Sequence, residues 1–270
     1  MSNQSIRDLC LYLEEMVPLS IQESYDNSGL LVGSQNDIIT GILICLDCTE
    51  KVIQEALALN VNTIVCHHPI IFSPLKRLTN QNYTQRIVAK AIKNNLHIYA
   101  IHTNLDNYLI DGVNTKIAKK LNLKELEALT PLSGDYDSNS FGAGIVGNLS
   151  VPMETNTFLE FLQQKMQTPL IRHTSIVQEK ISRVAICGGS GSFLLPEALK
   201  KDADIFVTSD YKYHQFFDAD NEIIIADIGH YESEQFTIEL LHEILSRKFN
   251  NFAVYSTKIN TNPVQYFFKA

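Results

Sequence analysis

The stretch that most constrains this chain is the apolar run Val61–Val65, which leads into Cys66-His67-His68-Pro69. A short β-branched run closed by a proline reads as a buried strand, because proline has no N–H to give to a ladder. Successive side chains on a strand point to opposite faces. Two adjacent imidazoles therefore do not chelate one ion while the backbone stays extended. Where the strand ends and the chain turns, they can diverge toward two neighbouring ions, which hints at a dinuclear site. One buried and one exposed histidine is the plainer reading of the same residues.

Similar runs recur on both sides. Ile6, Leu9, Leu13 and Met16 fall at helical spacing behind Ser5, a suitable N-cap. Ile42–Leu46 reads as a strand, and Asp47-Cys48-Thr49-Glu50 as the turn that caps a helix running to about Leu59. Thr84–Asn94 is helical in pattern, His97–His102 is a strand, and Asp111-Gly112-Val113-Asn114 opens a helix through Leu121. Strands alternating with helices indicate an α/β layer structure with much parallel pairing. The polar, breaker-rich run from Thr130 to Ser140 reads as a linker, with a strand over Gly142–Leu149 and a helix over Thr155–Met166 beyond it.

A faint repeat runs through the chain. The offset that carries Ile44-Cys45 onto Ile186-Cys187 also carries Glu55-Ala56-Leu57 onto Glu197-Ala198-Leu199, and Val65 onto Val207. Each copy reads as strand, turn, helix, strand. The expectation is two similar α/β domains arising by internal duplication. Residues 1–130 with 225–270 form the first, which carries the metal ligands, and residues 131–224 form the second.

At 270 residues the chain can bury a substantial core. A formal net charge of −8 argues against a nucleic-acid partner of the phosphate-neutralising kind. Met1–Ser5 has no apolar segment of the secretory type, and no apolar run approaches a membrane span, so cytoplasmic residence is expected. The five cysteines are odd in number and scattered, which favours buried thiols over a disulfide framework.

The strand Ile223–Ala226 ends in Asp227-Ile-Gly229-His230-Tyr-Glu-Ser-Glu234. His230 and Glu234 are one helical turn apart and share a face. They follow a strand directly, where α/β folds place ligand groups. Asp106 lies just past the end of another strand. Together His67, His68, Asp106, His230 and Glu234 supply three imidazoles and two carboxylates, a set that suits zinc, iron or manganese. Five ligands exceed one tetrahedral ion and suit two ions that share a carboxylate and a water. His102 is placed for outer-shell orientation or proton transfer. Asp26 is a weaker candidate, and His214, Asp47 and Asp227 remain without a role. The glycine-rich turn Gly188–Ser192 either offers N–H groups to an anion or is a tight turn that needs positive φ.

Taken in order, Asp26-Asn-Ser-Gly-Leu, His67-His-Pro, His102-Thr-Asn-Leu-Asp106, the Gly188 turn, Thr208-Ser-Asp-Tyr-Lys-Tyr-His214 and Gly229-His-Tyr-Glu-Ser-Glu234 resemble the NIF-three-like family. Bacterial members of that family are called GTP cyclohydrolase type 2 homologs. The resemblance runs from about residue 5 to the C-terminus. It implies two similar α/β domains with a dinuclear metal site in the cleft between them. The five ligands above would hold two divalent ions, with Glu234 as the bridge. It also implies a homohexamer built as a trimer of dimers, without the extra mid-chain domain of longer members. Tyr25 and Ser209 stand where the family usually has tryptophan and glycine.

The function so implied is a metal-dependent hydrolase that opens the imidazole ring of a nucleotide-like small molecule. His102 or His214 would protonate the leaving nitrogen, and the Gly188 turn with Lys212 would hold phosphates. A phosphoesterase using the same ions and a non-enzymatic, metal-binding hexameric scaffold are the alternatives.

Overall fold

Among the described residues the chain forms eleven strands, in chain order β1 (Gly29–Val32), β2 (Gly41–Asp47), β3 (Thr63–His68), β4 (His97–Ala100), β5 (Lys124–Pro131), β6 (Gly142–Glu154), β7 (Arg172–His173), β8 (Lys180–Ser190), β9 (Ile205–Ser209), β10 (Ile224–Asp227) and β11 (Ala253–Ser256). The computed structural model describes residues 4–132, 134, 136–137 and 139–267. The chain divides into two units. One comprises the residues up to Leu105 with Thr237–Pro263, and the other Asp106–Phe236 with the chain from Val264 onward.

The first unit holds a five-stranded sheet in the order β1-β4-β3-β2-β11. The last four of these run parallel, and β1 joins β4 antiparallel at the edge. Parallel neighbours need crossovers. Helix Glu50–Ala58 supplies the one from β2 to β3, and helix Tyr83–Lys93 the one from β3 to β4. Both helices start on side-chain caps: Thr49 Oγ1 accepts from Val52 N–H and Asn82 Oδ1 from Gln85 N–H.

Leu43, Cys45, Ile64, Cys66 and Ile98 pack with Val52, Ile53, Ile87 and Val88 of these helices. Helix Thr237–Lys248 packs against β2 and β11. Burial on both faces explains why β2 and β3 read as continuous apolar runs rather than alternating ones. Because β2 and β3 are parallel and in register, Asp47 lies opposite His68 at their C-terminal ends.

The second unit holds a six-stranded sheet in the order β5-β6-β8-β9-β10-β7. β8, β9 and β10 run parallel, while β5, β6 and β7 pair antiparallel with their neighbours. Helix Leu195–Lys200 joins β8 to β9. Leu194, Leu195 and Ala198 pack with Val146, Ala185, Phe206 and Ile225.

The chain passes from one unit to the other at 105/106, 236/237 and 263/264, not at the expected 130/131 and 224/225. Helix Val113–Lys120 packs against β6 and β8, which draws it into the second unit. β10 pairs with β9, which draws the segment carrying His230 and Glu234 there too. The run from Thr130 to Ser140 joins the antiparallel neighbours β5 and β6 rather than linking the units; Ser133, Asp135 and Ser138 within it lie outside the described residues. Polar, breaker-rich composition marks a hairpin connection as readily as a linker.

All five cysteines are free and buried. Burial and the neighbouring Asp47 push the Cys48 thiol up to about 12, far from a reactive thiolate. Among the described residues, no helix is long and apolar enough to cross a membrane.

Candidate metal centre

In the first unit, three histidines gather at the C-terminal edge of the sheet. His67 is fully buried at the end of β3, and its Nδ1 lies 2.8 Å from the Ile101 carbonyl. A carbonyl only accepts, so Nδ1 carries the proton and the neutral ring keeps its lone pair on Nε2. His68 repeats the arrangement, with Nδ1 2.8 Å from Asp47 Oδ1. His102 does so again, with Nδ1 2.7 Å from Asp26 Oδ1. The three rings stand 5.0 to 5.4 Å apart. One ring nitrogen from each lies within 4.8 Å of the others, close enough to hold a metal ion.

Carboxylates orient two of these rings, His68 and His102. The Asp26 side chain is buried and accepts from His102 Nδ1, the Thr103 hydroxyl and N–H, and the Asn27 N–H. Burial alone would raise its pKa, but the His102 ring and the other donors outweigh burial and hold the carboxyl well below the usual range. Asp47 takes His68 on one oxygen, and on the other it accepts the Thr261 hydroxyl at 2.6 Å.

In the second unit, His230 and Glu234 span the short helix after β10, as their spacing predicts. His230 Nδ1 is 2.7 Å from Asp210 Oδ2 and its Nε2 is 3.1 Å from Glu234 Oε2. Burial would lower the pKa of this imidazole, but Glu234 and Asp210 raise it to about 11. The local charge therefore favours a cation here, whether a proton on Nε2 or a divalent ion. Asp106 ends the short helix Thr103–Asp106, one turn beyond His102. Its carbonyl accepts from Asn114 Nδ2 at 3.0 Å.

The three glycine N–H groups of the glycine-rich turn are spent within the protein. The N–H groups of Gly188, Gly189 and Gly191 donate to Asn114 Oδ1, Ser233 Oγ and Thr208 Oγ1. Gly189 instead makes room for Glu234. Its φ is +64°, and a Cβ there would overlap Glu234 Oε1. Ser209 donates its hydroxyl to the Gly189 carbonyl at 2.6 Å.

His214 lies exposed on the 3-10 segment Tyr213–Ala219, with the rings of Tyr213 and Phe217 beside it. It joins none of the candidate ligand groups among the described residues. Sequence reasoning missed Asp210 and left Asp47 without a role. Each sits where a strand gives way to a turn, and that position was the available signal.

A sequence profile of the family described as Duf34/NIF3 (NGG1p interacting factor 3) matches residues 4–263. The chain belongs to this family. Among Duf34/NIF3 relatives, a Lactococcus lactis protein named GTP cyclohydrolase 1 type 2 homolog is 34% identical over 266 residues, covering 96% of this chain and 98% of the relative. A Staphylococcus epidermidis protein of the same name is 28% identical over 365 aligned positions, covering 97% of this chain and 99% of the relative, so it carries residues this chain lacks. A crystal structure of a hypothetical protein from Staphylococcus aureus matches with a TM-score of 0.91 at 32% identity, covering 98% of this chain and all of that one (100%). A Bacillus cereus protein related to NIF3 shares the fold, with a TM-score of 0.89 at 24% identity and coverage of 99% and 100%.

Proposed function

We propose that His67, His68, Asp106, His230 and Glu234 hold two divalent cations, and that this centre serves hydrolysis of a nucleotide-like small molecule. The observation that carries the reading is the common setting of four imidazoles. Each has Nδ1 against an oxygen acceptor: Ile101 O, Asp47, Asp26 and Asp210. Such a contact fixes the tautomer and the ring plane, as around metal-ligating histidines.

Each unit alone offers a partial ligand set. The first has imidazoles, and the second pairs His230 with the buried Glu234. Combined with Asp106 they would hold two ions, with Glu234 as the shared ligand. Zinc, iron and manganese all accept such donors. Bound there, the ions supply Lewis acidity and water of near-neutral pKa. His102, its Nδ1–H anchored on Asp26, can hold or deliver a proton at Nε2 for the leaving nitrogen.

A repeat is supported by matched pairing. Ile44 is the Cα partner of Val65, and Ile186 of Val207. β4 then leads into His102-x-x-x-Asp106 and β10 into His230-x-x-x-Glu234. The cyclohydrolase names of the relatives favour ring opening of a guanine nucleotide over phosphate-ester cleavage.

Incubating the protein with GTP and manganese, and assaying formate against phosphate, tests the chemistry. Formate that is lost in Glu234→Gln supports the proposal. Phosphate without formate would point to a phosphoesterase. Neither product from a fully metal-loaded protein would point to the scaffold reading, and light scattering checks the homohexamer.

A further inference from the structure

Beside the three histidines of the first unit, two large rings stand in solvent. Tyr25 is 60% exposed and Phe72 is 51% exposed. A single exposed aromatic is ordinary on a protein surface. These two stand together, with ring centroids 6.2 Å apart and planes tilted by 44°. The Phe72 ring also lies edge-on to the His102 ring at 6.5 Å.

The backbone behind each ring is pinned. Asp26, next to Tyr25, is the carboxylate that gathers His102, Thr103 and Asn27. Asn27 Nδ2 donates to the Ile71 carbonyl at 2.6 Å, which ties the Tyr25 loop to the residue before Phe72. Ile70, two residues before Phe72, is buried. The rings are therefore exposed on anchored loops. Further along the Phe72 loop, Lys76 and Arg77 are exposed in a chain whose net charge is −8.

We infer that Tyr25 and Phe72 form a seat for the planar heteroaromatic ring of a nucleotide, with Lys76 and Arg77 drawing its phosphate end. The inference rests on reading the adjoining histidines as part of a centre that processes a small molecule. A bare phosphate would need the cations but not the rings. An apolar ligand would need the rings but not the cations. A nucleobase has a π-face that stacks on any aromatic side chain, and its phosphate gives two surface cations something to attract. The seat recognises the base by its face, so it tolerates different purines.

The chain contains no tryptophan, so Tyr25→Trp places one indole at the seat as a reporter. The Tyr25→Trp protein is titrated with guanosine 5′-monophosphate, and separately with ribose 5-phosphate and inorganic phosphate. Saturable quenching by the nucleotide, and none by the two probes that lack a base, is the expected result. Adding Phe72→Ala should weaken nucleotide affinity about fivefold or more. Phe72→Leu keeps the apolar bulk without the ring and should weaken it similarly, which covers the case in which the alanine variant folds poorly. Equal quenching by ribose 5-phosphate, or unchanged affinity in both Phe72 variants, overturns the seat. Elemental analysis of the same samples separates the two claims. Metal-free protein that still shows base-dependent quenching retains the seat and defeats the metal reading. Metal-loaded protein without base-dependent quenching defeats the seat alone.

Discussion

Alanine at Gly189 is a small change with a large expected effect. Gly189 has a φ of +64°, a left-handed conformation that costs an L-residue about 1–2 kcal/mol. The new Cβ would overlap Glu234 Oε1, so the carboxylate must shift. Glu234 is 2% exposed, and its other oxygen is 3.1 Å from His230 Nε2. Deleting one partner of a buried ion pair costs about 3–5 kcal/mol, and a displaced carboxylate should lose part of that. The total is then about 2–4 kcal/mol, or a fall in Tm of roughly 5–15 °C at about 2–4 °C per kcal/mol. Thermal unfolding of the metal-free protein reads the stability, and chelator competition reads zinc affinity. Gly33→Ala is the control. It too has a positive φ, +120°, and its Cβ would overlap His97 within the first unit. Both variants should lose stability, and only Gly189→Ala should lose zinc affinity, by at least about tenfold. Equal zinc affinity in the two variants would refute the reasoning.

Asp26→Ala should cost about 3–5 kcal/mol, read by urea unfolding, because it strands the donors on His102 and Thr103. The folded-state pKa of Asp26 is held below its ordinary value of 3.8. Its contribution is thus full above that pH and lost on acidification, so the variant should show a shallower loss of stability in acid. His230 works in the opposite direction. Its pKa is raised from 6.5 to about 11, so in metal-free protein its ion pairs stabilise fully below pH 6.5 and fade as pH rises toward 11. Glu234→Gln should flatten that decline in thermal scans across alkaline pH, and in the native protein manganese affinity should climb over the same range as the ion displaces the proton. Thr261→Val removes the hydroxyl that holds Asp47 and should weaken zinc binding about tenfold with about 1 kcal/mol lost in stability, both measurable in the assays above.

Much of the fold was legible because burial left a pattern. The runs at Ile42–Leu46 and Val61–Val65 are apolar throughout, since helices Glu50–Ala58 and Tyr83–Lys93 cover one face of their sheet and helix Thr237–Lys248 packs on β2. The spacing of His230 and Glu234 placed both on the first turn after a strand, where the structure has them. The unit boundaries were not legible. They depend on which sheet recruits helix Val113–Lys120 and β10, a matter of long-range packing that local composition does not encode. The glycine-rich turn misled for a related reason. Glycine there serves close approach to a carboxylate 45 residues later in the chain (Gly189 and Glu234), and sequence alone does not separate that use from an anion-binding turn. The carboxylates that orient the histidines were obscured because Asp26, Asp47 and Asp210 each also read as ordinary turn residues.

The most direct test of the account is an anomalous difference map from a crystal of this protein grown with manganese. Two peaks about 3.5–4 Å apart, ligated by His67, His68, Asp106, His230 and Glu234 with Glu234 touching both, are the predicted result. A single peak, or separate peaks each ligated by residues of one unit only, would contradict it.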